Sequence, residues 1–213
     1  MQQLWDQYWR SRCQQDVSRA GWSKRRIIEV LERYVRPSMA VLDAGCGTGF
    51  FSLFFHASGC QVSCLDYSEE ALAITRRVTR GACCAYLKRD LLVPGTGAEL
   101  QGRFDLIFSD GLLEHFELTD QRCILDSFRR MARPGGLIVT VVPNRYSWWQ
   151  LVRPLVMPGI QENAFTWSRF ARLISEQTAL ESGGLNVIPF RWSPDRQLGT
   201  KFGMLLYCVG RYD

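Results

Sequence analysis

Residues 41–51, VLDAGCGTGFF, set the first constraint: a strand-forming run, an acid at Asp43, then glycines at 45, 47 and 49. A strand that runs into alternate glycines builds a turn where backbone, not side chain, meets a ligand. Glycine permits the positive φ values of such a turn and lacks the Cβ that would hold a ligand away. A helix opening at about Phe50 aims its unpaired N–H groups and positive dipole end at the same spot. The segment therefore predicts a strand, a turn for a nucleotide-like ligand and a helix.

The rest of the chain repeats this alternation. A first helix carries Trp22, Ile27, Ile28, Leu31, Tyr34 and Val35 on one face, with Ser23 as N-cap and Pro37 past its end. Strand one is MAVLDA, and its helix runs from Phe50 to Ser58, stopped by Gly59. QVSCLD is strand two, and Ser68 caps the next helix with Glu69 and Glu70 in its first turn. CCAYLK is strand three and RFDLIFS strand four. Asp120 is read as capping a helix with the stripe Ile124, Leu125, Phe128, Met131 and Ala132, and GGLIVTVV is strand five. Near-continuous apolar runs joined by helix-length crossovers are parallel strands covered on both faces. After Pro143 comes an aromatic, proline-broken insertion, NRYSWWQLVRPLVMPGIQENAF, then a Thr166-capped helix turning Trp167, Phe170, Leu173 and Ile174 inward. LNVIPFRW and GMLLYCVGRY, separated by a loop too short for a crossover helix, are expected to pair antiparallel.

A chain of 213 residues with 46% hydrophobic content suits one domain with a full core. Its parts are an N-terminal helical lid or cap (1–36), a cofactor-binding core (37–142) and an acceptor-side insertion with the C-terminal strands (143–213). No apolar run approaches the roughly 18 residues of a membrane span, and the first residues lack a signal-peptide layout, so a cytoplasmic protein is expected. Of the eight cysteines, Cys60, Cys64, Cys83, Cys84 and Cys208 lie in or beside apolar runs and read as buried, reduced hydrophobes. No zinc-like spacing occurs, and no metal is expected. The net charge of +5 is spread over the clusters SKRR, TRRVTR and FRRMAR, each read as the solvated face of a helix, which disfavours a nucleic-acid partner.

The glycine spacing is G-x-G-x-G, not the G-x-G-x-x-G of dinucleotide turns, and no Walker Gly-Lys-Ser/Thr follows. Asp43 adds negative charge beside the turn, which suits an ammonium or sulfonium rather than a phosphate. Asp66 ends strand two about 20 residues past the loop, where an acid accepts ribose hydroxyls. An adenosine ligand with a cationic, phosphate-free tail is S-adenosylmethionine.

At this point the chain resembles the class I S-adenosylmethionine-dependent methyltransferases, in order over residues 39–142 and more loosely to the end. VLDAGCGTG is similar to their first motif, CLDYS to the ribose-binding end of strand two, and KRDLL to the segment bounding adenine. FDLIFSDGLLEHF is similar to strand four and its turn, and MARPGGLIVTVVPN to the junction into strand five. Leu113-Glu114-His115 and the helix TWSRFARLI leading to Gly184-Leu185 are similar to the small-molecule group that includes ubiquinone and menaquinone biosynthesis methyltransferases. The resemblance implies an α/β, Rossmann-like, seven-stranded and mostly parallel sheet, helices on both faces and an antiparallel C-terminal strand. It implies S-adenosylmethionine as cofactor, with S-adenosylhomocysteine as product. The expected contacts are Asp43, Gly45, Cys46, Gly47, Gly49, Asp66, Tyr67, Asp90, Leu91, Ser109 and Asp110.

Methyl transfer from a sulfonium needs alignment and exclusion of water more than covalent help. A base is required only where the acceptor must lose a proton. His115, just beyond strand four, is the candidate base or a capping group, whereas His56 reads as packing or surface. The chain lacks the Asn/Asp-Pro-Pro-aromatic motif of amino-directed nucleic-acid enzymes and the Pro-Cys of pyrimidine C5 enzymes. A small methyl acceptor, aromatic or lipophilic, is therefore expected, with Tyr8, Trp9, Tyr146 and Trp149 at its site and Trp5 in the lid. An RNA or protein methyltransferase, or a non-catalytic S-adenosylmethionine-binding subunit, is the alternative. The acceptor's identity and the oligomeric state are not encoded in any motif.

Overall fold

The computed structural model of the chain describes residues 2–12, 21–93, 95–156, 159, 162–190 and 192–212. Residues 13–20 of the expected lid, and residues 157, 158, 160 and 161 of the expected insertion, lie outside them. Seven strands form one sheet: β1 (Ala40–Ala44), β2 (Gln61–Asp66), β3 (Ala85–Lys88), β4 (Phe104–Asp110), β5 (Ala132–Pro143), β6 (Thr178–Leu185) and β7 (Leu205–Arg211). Their order is β3-β2-β1-β4-β5-β7-β6. All neighbours are parallel except β7, which runs antiparallel to both β5 and β6.

Strand periodicity builds two cores from alternate residues of the same strands. Val41, Leu106, Phe108, Val139, Val141, Tyr207 and Val209 face one side, packed by Ile27, Val30 and Leu31 of α2 (Trp22–Leu31) and Phe50, Phe51 and Phe55 of α3 (Phe50–Ala57). Leu42, Ile107, Ile138, Val142, Leu206 and Cys208 face the other side. They meet Ile124, Leu125, Phe128 and Met131 of α5 (Leu118–Met131) and Phe170 and Leu173 of α7 (Trp167–Leu173). Successive side chains of a strand point to opposite faces, so an unbroken apolar run is the requirement of a sheet covered twice. On the first side, where its Leu72 joins the core, α4 (Glu69–Val78) is capped by the Ser68 hydroxyl accepting from the N–H of Ala71. The chain leaves β1 toward β2 on one side and enters β4 on the other. That reversal opens a crevice at the carboxyl ends of β1 and β4, where open α/β sheets bind ligands.

Several boundaries depart from expectation. The residue capping α2 is Gly21, and Ser23 lies inside the helix. The α5 helix starts at Leu118, so Asp120 sits in its first turn, where a carboxylate complements the dipole without capping. Strand six is TALESGGL rather than LNVIPFRW, and the loop expected to hold no helix contains α8 (Asp195–Phe202). The cause is a glycine pair. A Cβ on Gly184 would lie 2.0 Å from the carbonyl oxygen of Gly199, so α8 packs directly on the β6 backbone. Phe190 and Trp192, which made LNVIPFRW read as a strand, are 70% and 73% exposed. Cys84 is exposed, unlike its buried neighbour Cys83.

Candidate active site

The glycines of the turn all adopt positive φ, +72°, +51° and +75° at Gly45, Gly47 and Gly49. Gly45 and Gly47 border a cavity, and Gly49 does not. The Cβ position of Gly45 looks onto Leu112, that of Gly47 onto the indole of Trp9, and that of Gly49 lies 2.8 Å from Thr75 Cα. Gly49 is thus the packing glycine, seating α3 on α4. The turn is held from below by Asp66, whose Oδ2 accepts from the Gly47 N–H at 3.1 Å and Oδ1 from the Ser68 N–H at 2.9 Å. Burial raises the Asp66 pKa against these bonds.

Two cavities share this turn. One, about 240 Å³, is lined by Asp66, Tyr67, Asp90, Leu91 and Phe116. The other, about 310 Å³, is lined by Lys24, Asp43, Cys46, Gly47, Asp110, Glu114, Tyr8, Trp149 and Glu162. Trp5, Trp9, Gly45, Gly111 and His115 border both. In the smaller cavity Tyr67 presents a buried hydroxyl without a partner, and Asp90 fixes its own turn through the Leu92 N–H at 2.9 Å. Three expected residues border neither cavity: Gly49, the buried Ser109, and Tyr146, which is 63% exposed.

The larger cavity concentrates charge in an apolar wall. Asp43 takes the Ser52 hydroxyl at 2.5 Å and is otherwise desolvated, which lifts its pKa to about 7. Asp110 is lifted by burial to about 6. Lys24 opposes both shifts, and burial lowers its own pKa; its ammonium lies 4.2 Å from the centroid of the Phe50 ring. The expected solvated face at SKRR is corrected here: Arg25 is exposed, but Lys24 turns into the cavity. Burial also raises Glu114 well above the usual carboxylate range, and its Oε2 has no hydrogen-bond partner.

His115 sits in a 3-10 turn, Leu113–His115, braced by Gln121, which donates to the carbonyls of Leu113 (2.9 Å) and Phe116 (2.8 Å). Its ring meets Trp5 edge-on at 4.7 Å, and its Nε2 is 4.0 Å from Glu114 Oε1. The insertion reaches this turn through the Asn163 N–H, which donates to the Glu114 carbonyl at 2.7 Å. That bond brings Glu162 in, so Glu114, His115 and Glu162 place ligand atoms within 4.8 Å of one another. Such a set can share protons or hold a cation. Arg153, 3.5 Å from Glu162 Oε2, already supplies positive charge on one side.

The roof is α1 (Gln2–Arg12), docked on α4 by the Ser68 hydroxyl donating to Asp6 and by Arg10 to Glu70 at 2.8 Å. Its Trp5 and Trp9 stack at 5.9 Å over the glycine turn. Sequence reading missed Lys24, Glu114 and Glu162. Their signal was weak, since a lysine in a basic run and acids in loops normally face water.

Sheet order, glycine turn and strand-end acids together define the class I methyltransferase fold. Residues 41–136 match the family model described as a methyltransferase domain. The chain is 34% identical over 130 residues to the malonyl-[acyl-carrier protein] O-methyltransferase of Hamiltonella defensa, covering 61% of this chain and 43% of that protein. It is 31% identical over 118 residues to the ubiquinone biosynthesis O-methyltransferase of Azotobacter vinelandii, covering 54% of this chain and 49% of the relative. It thus spans less than half the length of either. Among solved structures, the N-methyltransferase NodS of Bradyrhizobium japonicum with S-adenosyl-L-homocysteine superposes with a TM-score of 0.69 at 17% identity, over 98% of both chains. A methyltransferase of Anabaena variabilis gives 0.72 at 19%, over 99% of this chain and 94% of that one. Among the described residues no helix is long and apolar enough to cross a membrane.

Proposed function

We propose that the chain is an S-adenosylmethionine-dependent methyltransferase of a small, ring-bearing or lipophilic acceptor. The observation that carries this reading is the pair of cavities meeting at Gly45, Gly111 and His115, one with a strand-end acid for a ribose and one walled by aromatic rings. The residues fit the donor. Asp66 keeps free lone pairs beside the unpartnered Tyr67 hydroxyl, and Gly45 and Gly47 bring the turn to the cavity wall where a methionine tail would pass. Lys24 between Asp43 and Asp110 complements a zwitterion: the lysine suits a carboxylate, the two acids an ammonium or sulfonium.

When bound, the donor supplies an electrophilic methyl on a good leaving group. The protein's part is then alignment, dehydration and proton control. Trp5 and Trp9 close the site from above. On this reading His115, which borders both cavities, takes the proton of an acceptor hydroxyl. Enclosure by α1 and by Trp149 favours a small acceptor over a polymer.

Calorimetric titration with S-adenosylhomocysteine, with NAD⁺ as control, tests the donor assignment. Transfer of labelled methyl into small-molecule, protein and RNA fractions tests the acceptor class. Binding of NAD⁺ alone sinks the reading, and label confined to RNA or protein replaces its acceptor.

A further inference from the structure

The helix α6 (Trp149–Val156) is turned inside out. Leu151 and Leu155 are 82% and 84% exposed, and Val152 and Pro154 also face outward. Its polar residues face inward: Gln150 has a buried side-chain nitrogen without a partner, and Arg153 pairs with Glu162 beside the larger cavity. A surface helix of a water-facing protein does the reverse. The outward stripe has company. Asn144 donates to the carbonyls of Thr200 (3.5 Å) and Lys201 (3.3 Å) and accepts from the Tyr146 N–H at 3.2 Å. It thereby sets Tyr146 beside the C-terminal turn of α8, whose Phe202 is 50% exposed.

The charge around this apolar surface is one-sided. Leaving aside Arg153, which is turned inward to Glu162, residues 144–156 and 195–202 hold Arg145, Arg196 and Lys201 and a single acid, Asp195. That acid is turned inward to the N–H groups of Asn186 (2.9 Å) and Val187 (3.0 Å). Exposed leucines on a short helix, an exposed tyrosine where the chain leads into it, an exposed phenylalanine at the end of α8, and arginine and lysine in the same segments are the composition that beds into a headgroup layer rather than spanning it.

We propose that the outer face of α6, with Tyr146 and Phe202, docks on an anionic lipid surface. Trp149 connects this face to the chemistry, because it belongs to the same helix and lines the larger cavity. Docking therefore sets the acceptor cavity one helix away from the lipid, where a lipophilic acceptor is concentrated. The inference rests on the acceptor class proposed above and extends it to a place of encounter.

The test is flotation of the full chain with vesicles of equimolar phosphatidylglycerol and phosphatidylcholine, and with vesicles of phosphatidylcholine alone. The chain should float with the anionic vesicles, less with the neutral ones, and less at high salt. The double substitution Leu151→Asp, Leu155→Asp should weaken flotation about tenfold or more, and Arg145→Glu with Lys201→Glu should remove the preference for anionic lipid. Titration with S-adenosylhomocysteine checks that each variant is folded. It also separates the two readings, since failure of the parent to bind it overturns the proposed function and leaves the vesicle result standing. No flotation of the parent, or equal flotation of the aspartate variant, overturns the lipid surface. So does a concentration-dependent dimer that the aspartate variant dissolves, which would give this face to a second copy of the chain.

Discussion

The two cavities sit side by side on one sheet but are specified in different ways. The smaller shares Trp5, Trp9, Gly45, Gly111 and His115 with its neighbour, but the acids of its own wall come from short local segments at the ends of β2 and β3, where Asp66 and Asp90 are tied to backbone N–H groups. The larger is assembled from α1, α2, the ends of β1 and β4, the 3-10 turn and the insertion, and it confines one lysine with four carboxyls. The first is organised before any ligand arrives. The second holds charges that burial disfavours, an arrangement that a charged ligand would relieve.

This contrast breaks most sharply if chemistry and donor affinity do not separate. His115→Gln should lower turnover by about 10² to 10⁴, the usual cost of losing a general base, while affinity for S-adenosylhomocysteine stays within about threefold. Parent-like turnover in steady-state assays would show that alignment alone suffices. Asp66→Ala should do the opposite, weakening that affinity by about 100-fold, since charge-assisted bonds to a ribose contribute about 1.5–3 kcal/mol each. Asp66→Asn, which keeps one acceptor, should recover part of the loss in calorimetry. An unchanged affinity in Asp66→Ala would remove the distinction between the cavities.

The legibility of the two regions in the sequence follows the same line. That Asp43, Gly45, Asp66, Tyr67, Asp90 and Leu91 line the cavities was readable because a strand end fixes where the next residue points, whatever the rest of the chain does. Lys24 was not. Its direction is decided by Phe50 and Phe51, which accept its ammonium from another helix, and a basic run hides one inward member among outward ones. Glu162 depends on a backbone bond between Asn163 and Glu114 across 49 positions of sequence. Strand six was missed for a related reason. Its Gly183-Gly184 pair has weak strand propensity and is placed by contact with α8, while the stronger apolar pattern that follows is left on the surface.

Smaller effects sharpen the comparison. Lys24→Met should weaken S-adenosylhomocysteine binding about tenfold, the loss of one charge-assisted contact, and an affinity equal to the parent's would detach Lys24 from the donor. The buried acids also leave a pH signature. Asp43 has a folded pKa of about 7, above its ordinary value, so the folded state holds an extra proton between the two. Its contribution to stability is present below about pH 4, declines as pH rises, and falls no further above about pH 7. Asp43→Asn cannot lose that proton. Its melting temperature relative to the parent should therefore climb by about 3 °C or more between pH 5 and 7.5, and parallel melting curves would place Asp43 in a wetter setting.

The position of β7 has a consequence for how the chain is made. Strand β6 pairs with β7 alone, and β7 lies between it and β5. On the ribosome, residues 178–185 therefore emerge with no sheet neighbour to join and must wait for residues 205–211. The half carrying β1 to β4 can pair during synthesis, so the order of manufacture puts the glycine turn in place first. Residues 178–185 are left as the stretch exposed to mispairing until late in folding.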